Sequence, residues 1–158
     1  MKHRRTWRIA AVLIVSIVAA AALGVLAVQQ YDAGTQVHAA VTLSGQSISV
    51  VQGGFVRRLT LANAMSPMQD ASILAKDAPV WETFCGASAR VYCDGAPAQT
   101  LQAEAISADG QVQTLQTGGN ALILPETEGT YTVDVRAHFE GGYVQLAFRV
   151  RIYDAPAP

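Results

Sequence analysis

The residue types able to do chemistry are few. Cys85 and Cys93 are the only cysteines, with seven residues between them. In an oxidising compartment such a pair favours a disulfide, closing a ring of about nine residues worth roughly 2.5 kcal/mol in the chain-entropy picture. Metal ligation is the alternative, but two thiols without a nearby His do not complete a four-donor site. The spacing therefore predicts a Cys85–Cys93 disulfide. Of the imidazoles, His3 sits in the N-terminal tail, His38 in a connecting stretch, and His138 on the polar face of a hairpin. A nucleophile and base need a positioned partnership, and no Ser or Cys stands in a recognisable elbow. Gly53-Gly54, Gly118-Gly119 and Gly141-Gly142 read as turn doublets, not phosphate cradles. No catalytic residue, cofactor or metal is expected, and the chain is not expected to be an enzyme.

Binding is the other chemistry available. Met68, Trp81, Phe84 and Tyr92 fall on the long stretch between Ala62 and Pro97. Aromatic side chains on such a segment can form a partner surface on a rigid scaffold. The competing reading has them capping the open end of a core.

What positions these residues begins with charge. The chain has 158 residues, and four of its 11 Lys and Arg lie in residues 1–8, while all 12 Asp and Glu lie beyond residue 29. Residues 30–158 thus carry seven basic and 12 acidic residues, a net charge of −5. That excludes a basic nucleic-acid face, which needs clustered Lys and Arg against phosphates. Residues 9–28 are apolar apart from Ser16 and Gly24. A helix of that length spans about 30 Å, the hydrocarbon thickness of a bilayer. Positive charge before it orients the N-terminus to the cytoplasm, with Trp7 and Tyr31 flanking the run. The expected organisation is a cytoplasmic tail over 1–8, a transmembrane signal anchor over 9–28, a stalk over 29–38, a domain over 39–154 and a disordered tail over 155–158. A cleaved signal peptide ending near Val25-Leu26-Ala27 is the rival. Ser16, Ala20 and Gly24 recur every four residues, a spacing that permits weak helix dimerisation in the bilayer.

The sharpest structural pattern lies near the C-terminus. Tyr131, Val133, Val135, Ala137 and Phe139 alternate with polar residues, and Val144, Leu146, Phe148, Val150 and Ile152 repeat the pattern after Gly141-Gly142. Period-two alternation around a glycine step predicts a hairpin. Pairing Glu140 with Tyr143 sets every inward residue opposite an inward residue and puts Asp134 opposite Arg149. Just upstream, Leu124-Pro125-Glu126-Thr127-Glu128 has Glu where a sortase signal requires Gly. Glu128-Gly129-Thr130-Tyr131 instead resembles the tyrosine corner that opens a late strand of immunoglobulin sandwiches, with Val133 where antibody domains carry a Cys.

Further strands are predicted over 39–43, 47–52, 57–62, 89–93, 99–107, 111–116 and 121–124. Turns fall at Ser44-Gly45, Asp94-Gly95, Asp109-Gly110 and Gly118-Gly119. Ser66-Pro67-Met68-Gln69 reads as a helix start, with Ser as N-cap and Pro at the first position, and the helix ends near Lys76. The fold class predicted is all-β: an immunoglobulin-like antiparallel β-sandwich preceded by one N-terminal transmembrane helix.

Residues 41–54 and 122–153 together resemble a group of small Gram-positive surface proteins with one N-terminal membrane segment and a single extracellular immunoglobulin-like domain. That resemblance implies topology and localisation, and transfers no functional residues. The expected function is a non-catalytic, membrane-anchored binding, sensing or assembly module. Its expected partner is a protein or cell-envelope polymer, with the lipid bilayer held through residues 9–28. The alternative is a secreted hydrolase or inhibitor released by signal cleavage.

Overall fold

A computed structural model describes residues 36–59 and 63–154. The expected tail, anchor, dimerisation spacing and C-terminal tail over 155–158 lie outside the described residues. Among those described, no helix is long and apolar enough to cross a membrane.

Among the described residues, thirteen strands form two sheets. The smaller has the order β10-β11-β6-β1-β2, with β7 beside β6: β10 (Thr117–Gly118), β11 (Ala121–Ile123), β6 (Ser88–Cys93), β1 (Ala39–Leu43), β2 (Gln46–Ile48) and β7 (Ala96–Pro97). The larger runs β4-β3-β13-β12-β8-β9: β4 (Asn63–Ser66), β3 (Val51–Arg58), β13 (Gly142–Tyr153), β12 (Gly129–Phe139), β8 (Thr100–Ser107) and β9 (Val112–Thr114). In this sheet β5 (Val80–Phe84) lies parallel to the last part of β13, and every other pairing is antiparallel. Alternation fixes the faces. Val41, Val91, Leu122, Val133, Leu146 and Phe148, each fully buried, contribute to one core. Val37 is also buried in it, so packing begins before the predicted start at residue 39.

The β12–β13 hairpin forms, but its register differs from expectation. Phe139 faces Gly142 and Tyr131 faces Val150, so the turn is Glu140-Gly141 and each pairing has moved by two residues. Only Gly141 takes a left-handed φ there, at +91°. An even shift keeps inward residues opposite inward residues, so hydrophobic alternation cannot tell the two registers apart. Gly142 is not a turn residue: a Cβ on it would stand 1.8 Å from the Val56 carbonyl oxygen, so it lets β3 approach β13. Ser44-Gly45 and Asp94-Gly95 do form two-residue turns with both φ positive, as primed hairpins require. The Tyr131 hydroxyl reaches back to Thr127, 2.8 Å from its Oγ1 and 3.3 Å from its carbonyl oxygen.

The helix also starts later than predicted. Ser66 ends β4, and α1 is the single turn Ala71–Leu74, capped by Asp70, whose carboxylate accepts from the amides of Ser72 at 2.8 Å and Ile73 at 3.3 Å. Ala71, Ala75 and Ala78 pack on Ala147, so this crossover covers part of the outer face of the larger sheet.

The predicted disulfide is absent: both cysteines are free thiols. The ring between the two cysteines would have to contain most of an extended strand. Cys85 follows β5, and Cys93 closes β6 in the opposite sheet. Five extended steps from Ser88 to Cys93 cover roughly 17 Å, whereas bridged cysteines need Cα atoms within about 7 Å.

Candidate functional site

β12 is an interior strand, paired along its length with β13 on one side and with β8 on the other, and β8 is paired on its far side with β9 over Glu104–Ile106. Their core-facing residues are apolar, which turns Gln102, Glu104, Asp134 and Arg136 outward. The register sets Glu104 opposite Asp134 and Gln102 opposite Arg136. Thr114 of β9 pairs with Glu104 on the other flank, and Met68 comes in from the crossover. Together they line an open cleft of about 480 Å³.

One buried amide holds the cleft's wall in place. Gly53 and Gly54 of β3 lie against the single residue Gln145 of β13, a bulge between the pairs Val144–Phe55 and Leu146–Gln52. Gln145 is 1% exposed. Its Oε1 accepts from the Gln69 amide at 2.9 Å and the Gly54 amide at 3.3 Å. Its Nε2 donates to the Gln69 carbonyl at 2.8 Å and to Asp134 Oδ1 at 3.0 Å. The side chain thereby fills its hydrogen-bonding capacity. It ties the crossover carrying Met68 to the carboxylate on the cleft floor. Gly53-Gly54 is thus not a turn doublet: a Cβ at Gly54 would lie 2.3 Å from the Pro67 carbonyl oxygen, and one at Gly53 would lie 2.5 Å from Gln145 Oε1.

The electrostatics of the cleft are lopsided. Burial pushes the Asp134 carboxyl above its ordinary value; the Gln145 hydrogen bond works against that, the nearby charges of Glu104 and Asp70 add to it, and Arg136 opposes. Arg136 also lies 5.5 Å from the centroid of the Tyr143 ring. The ion pair found among the described residues, Arg57 with Asp94 at 3.2 Å, lies elsewhere. No group of three or more His, Cys, Asp or Glu residues able to hold a metal occurs among the described residues.

Of the residues predicted to form a partner surface, only Met68 lines this cleft. Trp81 is half-buried against the main core, with its indole Nε1 buried and lacking a hydrogen-bond partner. Phe84 is exposed at the end of β5, aligned with Tyr153. Tyr92 alternates with the buried Val91 and Cys93, which puts it on the outer face of the smaller sheet. The four do not form a single patch. Both thiols are held toward their protonated form. Burial pushes Cys93 up to about 11, assisted by the Asp94 charge. Cys85 is also raised, by burial and then by its hydrogen bond to Asp154 at 3.4 Å.

Glu104, Asp134 and Gln145 line or brace the cleft without any local motif that marks them as a site. One signal was available: Gln145 is the lone amide in the run Val144-Gln145-Leu146-Ala147-Phe148, and a polar residue flanked by such neighbours calls for a second packing layer. No protein-family profile, no curated protein and no solved structure matches this chain.

Proposed function

We propose that this chain is a non-catalytic, membrane-anchored extracytoplasmic module. It engages a protein or envelope polymer through the cleft over β8 and β12. The observation that carries this reading is the cleft itself, where outward polar side chains of two paired strands are fixed by register and by the fully bonded Gln145. The apolar run over residues 9–28, preceded by four basic residues, supports the anchor.

The finer fold reading is an immunoglobulin-like sandwich. The orders β10-β11-β6-β1 and β9-β8-β12-β13 correspond to the D-E-B-A and C′-C-F-G arrangement of such domains, with β2, β3, β4, α1 and β5 between the first two of these strands in the chain and β7 between the next two. The Tyr131–Thr127 contact fits the corner before strand F.

The experiment is photo-crosslinking in cells from a probe at Gln102 in the cleft and, as a control, at Thr42 on the smaller sheet. Capture from Gln102 alone supports the reading, and equal capture from both sites removes the cleft from it. Fractionation decides the anchor: full-length chain in membranes supports it, while a soluble product beginning near residue 28 supports a released protein instead.

A further inference from the structure

We infer that the cleft recognises a glycan whose sugars carry free amines, with Glu104 and Asp134 holding a protonated amine and Gln102, Thr114 and Arg136 meeting hydroxyls. This rests on the binding reading above and specifies its ligand.

Three observations converge on it. The first is what the cleft floor withholds. A peptide added as a strand needs an unpaired edge, but β8 lies between β12 and β9, and β12 lies between β13 and β8. β9 pairs with β8 over Glu104–Ile106, and beyond it the Ala103 and Leu101 carbonyls are taken by the Leu115 amide at 2.9 Å and the Thr117 hydroxyl at 3.1 Å, so little edge is left for an added strand and recognition falls to side chains. The second is the mix of those side chains. An amide, two hydroxyls (that of Thr117 already donating to the Leu101 carbonyl), a guanidinium and two carboxylates line the cleft of about 480 Å³. That set pairs donors with acceptors as a polyhydroxylated ring does, and Met68 offers an apolar contact for the ring's C–H face. The third is charge. Glu104 and Asp134 are directly opposite on adjacent strands, an arrangement that disfavours both when ionised. Asp70 lies near enough to act on Asp134, and among the described residues Arg136 is the one cation lining the cleft. A cation seated between the two carboxylates relieves this repulsion. The second oxygen of Asp134 is available for it, because Gln145 engages only Oδ1.

The test uses the full-length chain and three probes, a glucosamine tetramer, an N-acetylglucosamine tetramer and tetralysine, read by calorimetry and by amide shifts of residues 100–105 and 132–137. The glucosamine tetramer is expected to bind with shifts confined to these strands, and its acetylated form at least about tenfold more weakly, since acetylation removes a charge-assisted hydrogen bond. Glu104→Gln removes the charge at an exposed position and keeps the shape. It is expected to weaken the glucosamine tetramer about tenfold without lowering the thermal midpoint, and Gln102→Ala is expected to weaken both sugar tetramers. Equal affinity for the two tetramers overturns the amine while leaving a binding cleft. Tetralysine binding as tightly as the sugar overturns the glycan and reduces the cleft to a general cation site. No shift with any probe overturns the ligand class, and the crosslinking from Gln102 then decides the binding reading independently.

Discussion

Over Val144–Phe148 both faces of β13 are buried, but by unlike means. The inner face carries Val144, Leu146, Phe148, Val150 and Ile152, which pack into the main core through contact alone. The outer face carries Gln145 and Ala147, buried under a crossover that is held by two hydrogen bonds between Gln69 and the Gln145 amide and by a small alanine cluster, while the amide's other two bonds reach Gly54 and Asp134. Apolar packing is non-directional and accepts a two-residue change of register without penalty to the pattern. The amide accepts only the register in which Gly54, Gln69 and Asp134 surround it. The inner face therefore gives the hairpin its cohesion, and the outer face selects which hairpin forms. Arg149, expected opposite Asp134, faces Thr132 and donates instead to the Lys76 carbonyl at 3.2 Å, another tie to the crossover.

Three measurements would break or sharpen this contrast. The largest effect is expected for Phe148→Ala on the inner face: about 3–5 kcal/mol lost in chemical denaturation, the range for a fully buried aromatic. A loss below about 1 kcal/mol would mean that the core closes around the gap far more easily than close packing allows. Next comes Gln145→Ala, which strands the amides of Gly54 and Gln69 and should cost about 2–3 kcal/mol. Its distinguishing readout is hydrogen exchange, with protection lost over residues 67–78 and kept on β12. Uniform loss over both would show that the crossover is not a separate unit.

The smallest effect concerns acid. The folded carboxyl of Asp134 is raised above the ordinary value of 3.8, so folding favours its protonated form. Its stabilising contribution is complete below about pH 3.8 and is lost as pH rises through the raised folded value. Asp109 has the opposite sign: hydrogen bonds led by Ser107 lower it, so its contribution is present above pH 3.8 and fades as acid takes pH through the folded value. Asp134→Asn should remove the first dependence alone. A stability–pH profile unchanged by that substitution would separate Asp134 from the burial argument.

Strand identity and facing were legible wherever polar and apolar residues alternate, as in β12, β13, β6 and β8. They were illegible where context reverses the rule. In β5, Val80 and Phe84 are exposed while Thr83 is buried, so its pattern points the wrong way, and its parallel pairing with β13 depends on a crossover no local signal encodes. Glycine was the second source of error. The doublets at 53–54 and 141–142 look like turns, yet Gly54 and Gly142 exist to admit another backbone. The Ser66-Pro67 start was overridden by pairing of Ser66 with Phe55 in the sheet, leaving Asp70 to cap the helix. The cleft was illegible for a related reason: Glu104 and Asp134 are 30 positions apart and meet only through the β8–β12 register.

The two unbridged thiols carry a practical consequence. With no covalent brace between its sheets, the domain should mature without any dithiol oxidase and behave alike in glutathione buffers of either poise. Cys93, held near 11, carries almost no thiolate at neutral pH, so alkylating reagents should spare it until the fold opens. Its labelling rate then becomes a built-in clock for how often the two sheets part.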